Sequence, residues 1–390
     1  MAHNRHPQVQ ILLCIVVAAL LTGCATRPAA VEPAVVQSPG LPWPTEGWPT
    51  STPEEQGLDS ELLVDMLDRI RQERYAIDSV LVVRHRRLVL DVTVHPFGPG
   101  SKHVIRSCTK SIVSALVGIA MDQGYIEDVQ QPLLDLFPDR MVANLDGRKQ
   151  AMTLQDVLTM SSGLECRDSY LHRWRGLQEM RASADWVQFM LDLPMAEEPG
   201  TRFEYCNGGS FLLSALIQET TGKSALAFAQ EHLFGPLGIS GVEWPSNPQG
   251  ISIGWGELQL CPHDMAKIGY LYLHGGQWDG QQVIPAAWVA ESTRRHISAR
   301  TLQEGYGYQW WIHHSGMYMA LGYGGQYIVV VPEKDMVVVF ASELPEKQFF
   351  VPQELLIDFI LPAARSARPL PANPEALALL EARAEALATP

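Results

Sequence analysis

Ile105 to Ser111 reads IRSCTKS, which sets Ser107 and Lys110 three residues apart at the head of the apolar run IVSALVGIA. A helix opening there would bring positions i and i+3 onto one face, so the hydroxyl and the amine would stand side by side. That pairing can do chemistry. A serine hydroxyl is a weak nucleophile until a neighbouring base takes its proton. A lysine held against a buried helix loses hydration, which lowers its pKa towards the range in which it can act as that base. The helix N-terminus adds partial positive charge, which favours a developing alkoxide or oxyanion. Ile112, Val113, Leu116, Val117, Ile119 and Ala120 would bury the helix, and Gly124 would end it. The competing reading is a solvent-exposed N-cap serine beside an unrelated lysine.

Two further stretches carry suitable groups. Tyr205-Cys206-Asn207 lies in PGTRFEYCNGGS, where flanking proline and glycines can turn a phenol and an amide into a cleft. Gly322 to Gln326, GYGGQ, puts glycines beside a strand, where backbone can approach a substrate closely. A rival serine exists as well. Gly250 to Gly254 reads GISIG and fits the lipase-box pattern, with Asp264 and His313 or His314 downstream as conceivable partners. That motif works only on a strand-turn-helix elbow, and the loop-like flanks EWPSNPQ and WGELQLCP predict a glycine loop around Ser252 instead.

The elements that must position these groups follow from periodicity. SVLVVRHRRLVLDVTV, from Ser79 to Val94, is two β-branched runs broken at His85-Arg86-Arg87, which predicts a hairpin. Met317 to Ser342 predicts three more strands, with Pro332 to Asp335 as a tight connection. These distant parts can close one antiparallel sheet. The middle is helical in character: Thr153 and Asp156 resemble a capping box, Ser224 to Phe234 presents one apolar face, and Cys261 to His274 and Pro285 to Ser292 predict helices covering the sheet. Of Trp310 and Trp311, strand alternation predicts one in the core and one able to line the cleft. The expected organisation is a sheet region over 51–130 and 235–365, a helical region over 131–234 and a helical tail within 366–390.

Ser107-x-x-Lys110, Tyr205-x-Asn207 and Tyr323-Gly324-Gly325, in this order, resemble the serine β-lactamase-like superfamily. The chain is most similar to the branch that holds class C β-lactamases, family VIII esterases and 6-aminohexanoate-dimer hydrolases. LTMSSGLEC, FLLSALIQETTG, LFGPLGI, HDMAKIGYLYLHGGQWDG and GGQYIVVVPEKDMVVVF extend the resemblance over roughly residues 50–362. It implies an α/β (α+β) fold of β-lactamase/transpeptidase type, with helices flanking an antiparallel sheet and an inserted helical region. It further implies that Ser107 is acylated, that Lys110 activates it, and that Tyr205 relays protons, its pKa lowered by a cationic Lys110. The backbone N–H groups of Ser107 and Gln326 would form the oxyanion hole, and Asn207, Tyr323, Gly324 and Gly325 would contact substrate. The lactamases and D,D-peptidases usually carry Lys or His at the position of Tyr323, to meet a substrate carboxylate. A neutral phenol cannot supply that charge. The expected reaction is therefore hydrolysis of an ester or amide small molecule through a Ser107 acyl-enzyme. The alternatives are a D,D-peptidase or β-lactamase acting on cell-wall-like substrates and a catalytically silent binding module.

Composition bounds the rest. The chain has 390 residues, 46% of them hydrophobic, which suffices for a large core. A net charge of -14 without a basic block argues against nucleic-acid partners. No cofactor is implied, and no histidine or cysteine spacing predicts a metal. Residues 1–23 read as an export signal built on ILLCIVVAALL, and LTGC resembles a lipobox in which Cys24 is the lipid attachment point. With Ala25 following, the resemblance implies the outer membrane, facing the periplasm. Prolines across residues 24–50 predict an extended tether. Cys108, Cys166, Cys206 and Cys261 allow three full pairings or none, and packing is the expected role of Cys108 and Cys206.

Overall fold

In β1 (Ile77–Arg84) every residue is buried. Successive strand residues point to opposite faces, so both faces of the sheet are covered there. The chain then reverses through His85 and Arg86, both left-handed with φ of 48° and 64°, into β2 (Arg87–Thr93). Two consecutive left-handed residues match the right-handed twist of the strands they join. The computed structural model describes residues 42–168, 174–299 and 302–390.

Six later strands complete the sheet: β3 (Ile297–Ser298), β4 (Gly305–Tyr306), β5 (Trp311–Ile312), β6 (Tyr318–Gly322), β7 (Gln326–Val331) and β8 (Met336–Ser342). The order is β2-β1-β8-β7-β6-β5-β4-β3, antiparallel at each pairing. The last strand thus fits between the first hairpin and the rest, with Leu81 opposite Val339 and Val330 opposite Val337.

Five longer helices organise the remainder: α1 (Ser60–Glu73), α2 (Thr109–Asp122), α3 (Asn207–Thr221), α4 (Pro262–Leu273) and α5 (Pro374–Ala388). α4 packs on β1, β7 and β8, while α1 packs on the tail helix α5, which also meets β2. α2 and α3 pack on each other, and their residues 109–120 and 207–217 are buried throughout. The Thr153–Asp156 capping box forms, and the helix from Ala225 finishes in a π turn, Gln230–Phe234. The described residues belong to one compact unit, so the sheet and helical regions are layers of one body. No described helix is long and apolar enough to cross a membrane.

Proline content alone misreads the end of the tether. Residues 42–50 lie on the body, with Trp43 against Tyr270 and Trp278 and 4.5 Å from the Arg86 guanidinium. Trp278 Nε1 donates to Thr45 Oγ1 at 2.9 Å, and Trp48 Nε1 donates to the His263 carbonyl at 3.3 Å. Two indoles bring enough apolar area to fix a chain that proline has already made stiff. Trp43→Ala is therefore expected to lower unfolding free energy by about 2 kcal/mol in urea titration. An unchanged midpoint would contradict the packing described.

Candidate active site

Ser107 lies in a 3-10 turn, Arg106–Cys108, that runs directly into α2. Arg106 is left-handed, with φ of 52°. A non-glycine residue held there costs about 1 kcal/mol or more, so the surrounding packing enforces a sharp bend just before the serine. Ser107 is half-buried, whereas Lys110, one turn on, is 1% exposed.

The buried amine is fully partnered. Lys110 Nζ lies 2.9 Å from Ser107 Oγ, 2.9 Å from Asn207 Oδ1 and 2.8 Å from the Trp255 carbonyl oxygen. As an ammonium it donates one proton to each. As a neutral amine it donates to the amide and carbonyl oxygens, which can only accept, and turns its lone pair to the serine O–H. One geometry therefore serves both charge states. Burial pulls the Lys110 pKa down to about 7, against smaller upward pulls from Asp168 and Cys108.

Tyr205 closes the third side. Its ring lies 4.9 Å from Lys110 Nζ and stacks on Trp311 at 6.0 Å. Burial pushes its phenol pKa up, against a smaller downward pull from the neighbouring Ser107 hydroxyl. This reverses the expectation that Lys110 lowers it. Burial disfavours the charge on Lys110 as well, which leaves less positive charge to lend. Trp311, itself buried, lies behind the phenol, while Trp310 packs in the core against Tyr272 and Tyr318.

Asn207 opens α3, and the Cys206 sulfur caps that helix by accepting from the Gly209 N–H at 3.2 Å. Gln326 begins β7 opposite Gly322, and its carbonyl accepts from the Cys108 thiol at 3.2 Å, which ties the strand to the serine turn. Between them Tyr323 stands 51% exposed, followed by Gly324 and Gly325 at φ of 79° and 87°, a left-handed pair that favours glycine.

Three contributors escaped the sequence reading. The Trp255 carbonyl has no signature in residue type. Asp168, 1% exposed, accepts the Asn207 N–H at 2.8 Å. The third is a disulfide, Cys166–Cys206, with Cα atoms 5.8 Å apart, which leaves Cys108 and Cys261 free. Cys206 is thus a cross-link and a helix cap, not packing alone. Ser252 is 2% exposed, and its Oγ accepts from the Leu226 N–H. Asp264 is paired with Lys267, His313 with Ser315 and His314 with Glu304, so none of these three is bonded to Ser252. The glycine-loop reading holds there.

A model of the beta-lactamase family matches residues 67–358. The chain belongs to that family. It is a serine hydrolase of the β-lactamase-like superfamily, and relatives lie on several of its branches. A 6-aminohexanoate-dimer hydrolase of Paenarthrobacter ureafaciens is 24% identical over 322 residues, which cover 76% of this chain and 80% of that protein. EstCE1, described as a hydrolase with promiscuous acyltransferase activity, superposes with a TM-score of 0.65 at 15% identity, covering 79% of this chain and 99% of its own. A family VIII carboxylesterase superposes with a TM-score of 0.62 at 14% identity, covering 80% and 98%. The fold expected from the sequence is the fold observed.

Peptide mapping without reductant is expected to recover Cys166 and Cys206 in one linked species and Cys108 and Cys261 as thiols. Alkylation of Cys166 in the folded, unreduced protein would contradict this site.

Proposed function

We propose that the protein hydrolyses an ester or amide through a Ser107 acyl-enzyme, with Lys110 as the acylation base. The observation that carries this reading is the Lys110 amine, buried against Ser107 Oγ with two pure acceptors on its other sides. As Oγ attacks the substrate carbonyl carbon, its proton passes to the Lys110 lone pair. The carbonyl oxygen becomes an oxyanion held by the N–H groups of Ser107 and Gln326, each such donor contributing about 3 kcal/mol. Collapse re-forms the carbonyl and breaks the bond to the leaving oxygen or nitrogen. That atom takes the proton from Lys110, relayed through the Tyr205 hydroxyl. Water then attacks the acyl carbon and gives its proton to the same relay, while Ser107 Oγ leaves and is reprotonated. Tyr205 acts throughout as a neutral phenol, in keeping with the upward pull of burial on its pKa.

Asn207 orients Lys110, and Tyr323, Gly324 and Gly325 border the substrate. The neutral Tyr323 favours substrates that need no carboxylate over cell-wall-like ones. The hydrolase and carboxylesterase relatives support amide and ester bonds respectively. The assembled Ser107, Lys110 and Tyr205 set disfavours a silent binding module. The lipobox-like LTGC extends the proposal to export and anchoring through Cys24, which lies outside the described residues. Cys24→Ser should then move the protein from the membrane fraction to the soluble one.

A fluorophosphonate probe should label the wild type and Ser252→Ala but not Ser107→Ala, as read by intact mass. Lys110→Ala should cut hydrolysis of a p-nitrophenyl ester by about 10²- to 10⁴-fold. Labelling lost only in Ser252→Ala would overturn the mechanism.

A further inference from the structure

Asp168 is a carboxylate with almost no access to solvent, and no step above uses it. Its Oδ2 accepts the Asn207 N–H at 2.8 Å, and Oδ1 accepts the Leu177 N–H. Three parts of the chain converge on it: the segment at 166–168, the first turn of the helix Arg175–Ala182, and the first turn of α3. Gly176 makes the convergence possible, because a Cβ there would fall 1.7 Å from the Cys166 carbonyl oxygen and 3.0 Å from Asp168 Oδ1. The Cys166–Cys206 disulfide ties the same two segments a second time, one residue before Asn207. A carboxylate serving only as a helix cap would ordinarily keep contact with water. This one is enclosed behind the residue whose amide oxygen holds the Lys110 amine.

We propose that Asp168 is a positioning residue for the proton-accepting amine: it seats Asn207 against Lys110 and keeps a negative charge behind that seat. The inference rests on the reading of Lys110 as the acylation base. Two effects follow. Removing the carboxylate loosens the N-terminus of α3 and with it the Asn207 oxygen. Removing its charge also favours the neutral amine, because the groups that bear on Lys110 are Asp168 from the facing loop, Cys108 from its own turn and Tyr205 through its ring. Of these, Cys108 is a neutral thiol, pushed up by burial, and Tyr205 a neutral phenol, which leaves the Asp168 carboxyl: burial pushes its pKa up, while the N–H groups it accepts and Lys110 itself favour the carboxylate.

The test is kcat and KM against pH for p-nitrophenyl ester hydrolysis by wild type, Asp168→Asn and Asp168→Glu. A base must be unprotonated to work, so wild-type kcat/KM should fall as pH drops through about 7. Asp168→Asn should lower kcat by about tenfold with little change in KM, and should move the acid midpoint down by about one pH unit. Asp168→Glu keeps the charge but displaces the oxygens, so kcat should fall with the midpoint in place. A wild-type midpoint that Asp168→Asn leaves unmoved overturns the inference alone. A wild-type profile with no acid midpoint overturns the assignment of Lys110 and the inference with it. Should Asp168→Asn fail to fold by circular dichroism, Asp168→Glu decides: lowered kcat supports the inference, and wild-type kcat overturns it.

Discussion

A lysine amine enclosed in protein sets the terms for the rest of this structure. Removing a charged group from water is costly unless hydrogen bonds replace the lost hydration, or the group sheds its charge. Lys110 has both routes open. Its three oxygen partners satisfy the ammonium, and two of them remain satisfied when the amine is neutral and its lone pair faces Ser107. The pKa near neutrality is the balance between those states.

Meeting that demand requires parts of the chain far apart in sequence to converge within hydrogen-bond distance. The 3-10 turn and α2 that follows it bring the serine and the lysine, α3 brings Asn207, and the chain just after the glycine loop that resembled a lipase box brings the Trp255 carbonyl. Rigidity comes from elements with no chemistry of their own. β7 is held to the serine turn by the Cys108 thiol, and Trp311 backs the Tyr205 ring. The left-handed Arg106 stores strain immediately before Ser107, and the buried flanks of the turn hold it there.

Much of this was legible in the sequence, for identifiable reasons. β1, β2, β6, β7 and β8 are strands rich in apolar and β-branched residues and bounded by turn residues, so periodicity finds them. β3, β4 and β5 have two residues each and exist only because neighbours pair with them, which leaves no local signal. Ser107, Lys110, Tyr205 and Asn207 carry their chemistry in side chains at fixed spacing. The Trp255 carbonyl does not, since every residue has one. Asp168 is polar and unremarkable until α3 is placed on it, and the disulfide could not be picked from three pairings. The segment at 42–50 misled because proline content marks stiffness but does not say whether a stiff chain is packed.

In the proposed mechanism Lys110 works as a neutral base, and its charge can be read directly. Lysine side chains labelled with 13C and 15N can be followed by NMR across a pH titration, with Lys110 identified by its absence in Lys110→Ala. The Lys110 resonance is expected to titrate at about 7. A Lys110 resonance still that of an ammonium at pH 9 would contradict this, for the amine would then be charged at neutral pH, and Ser107 would need another base.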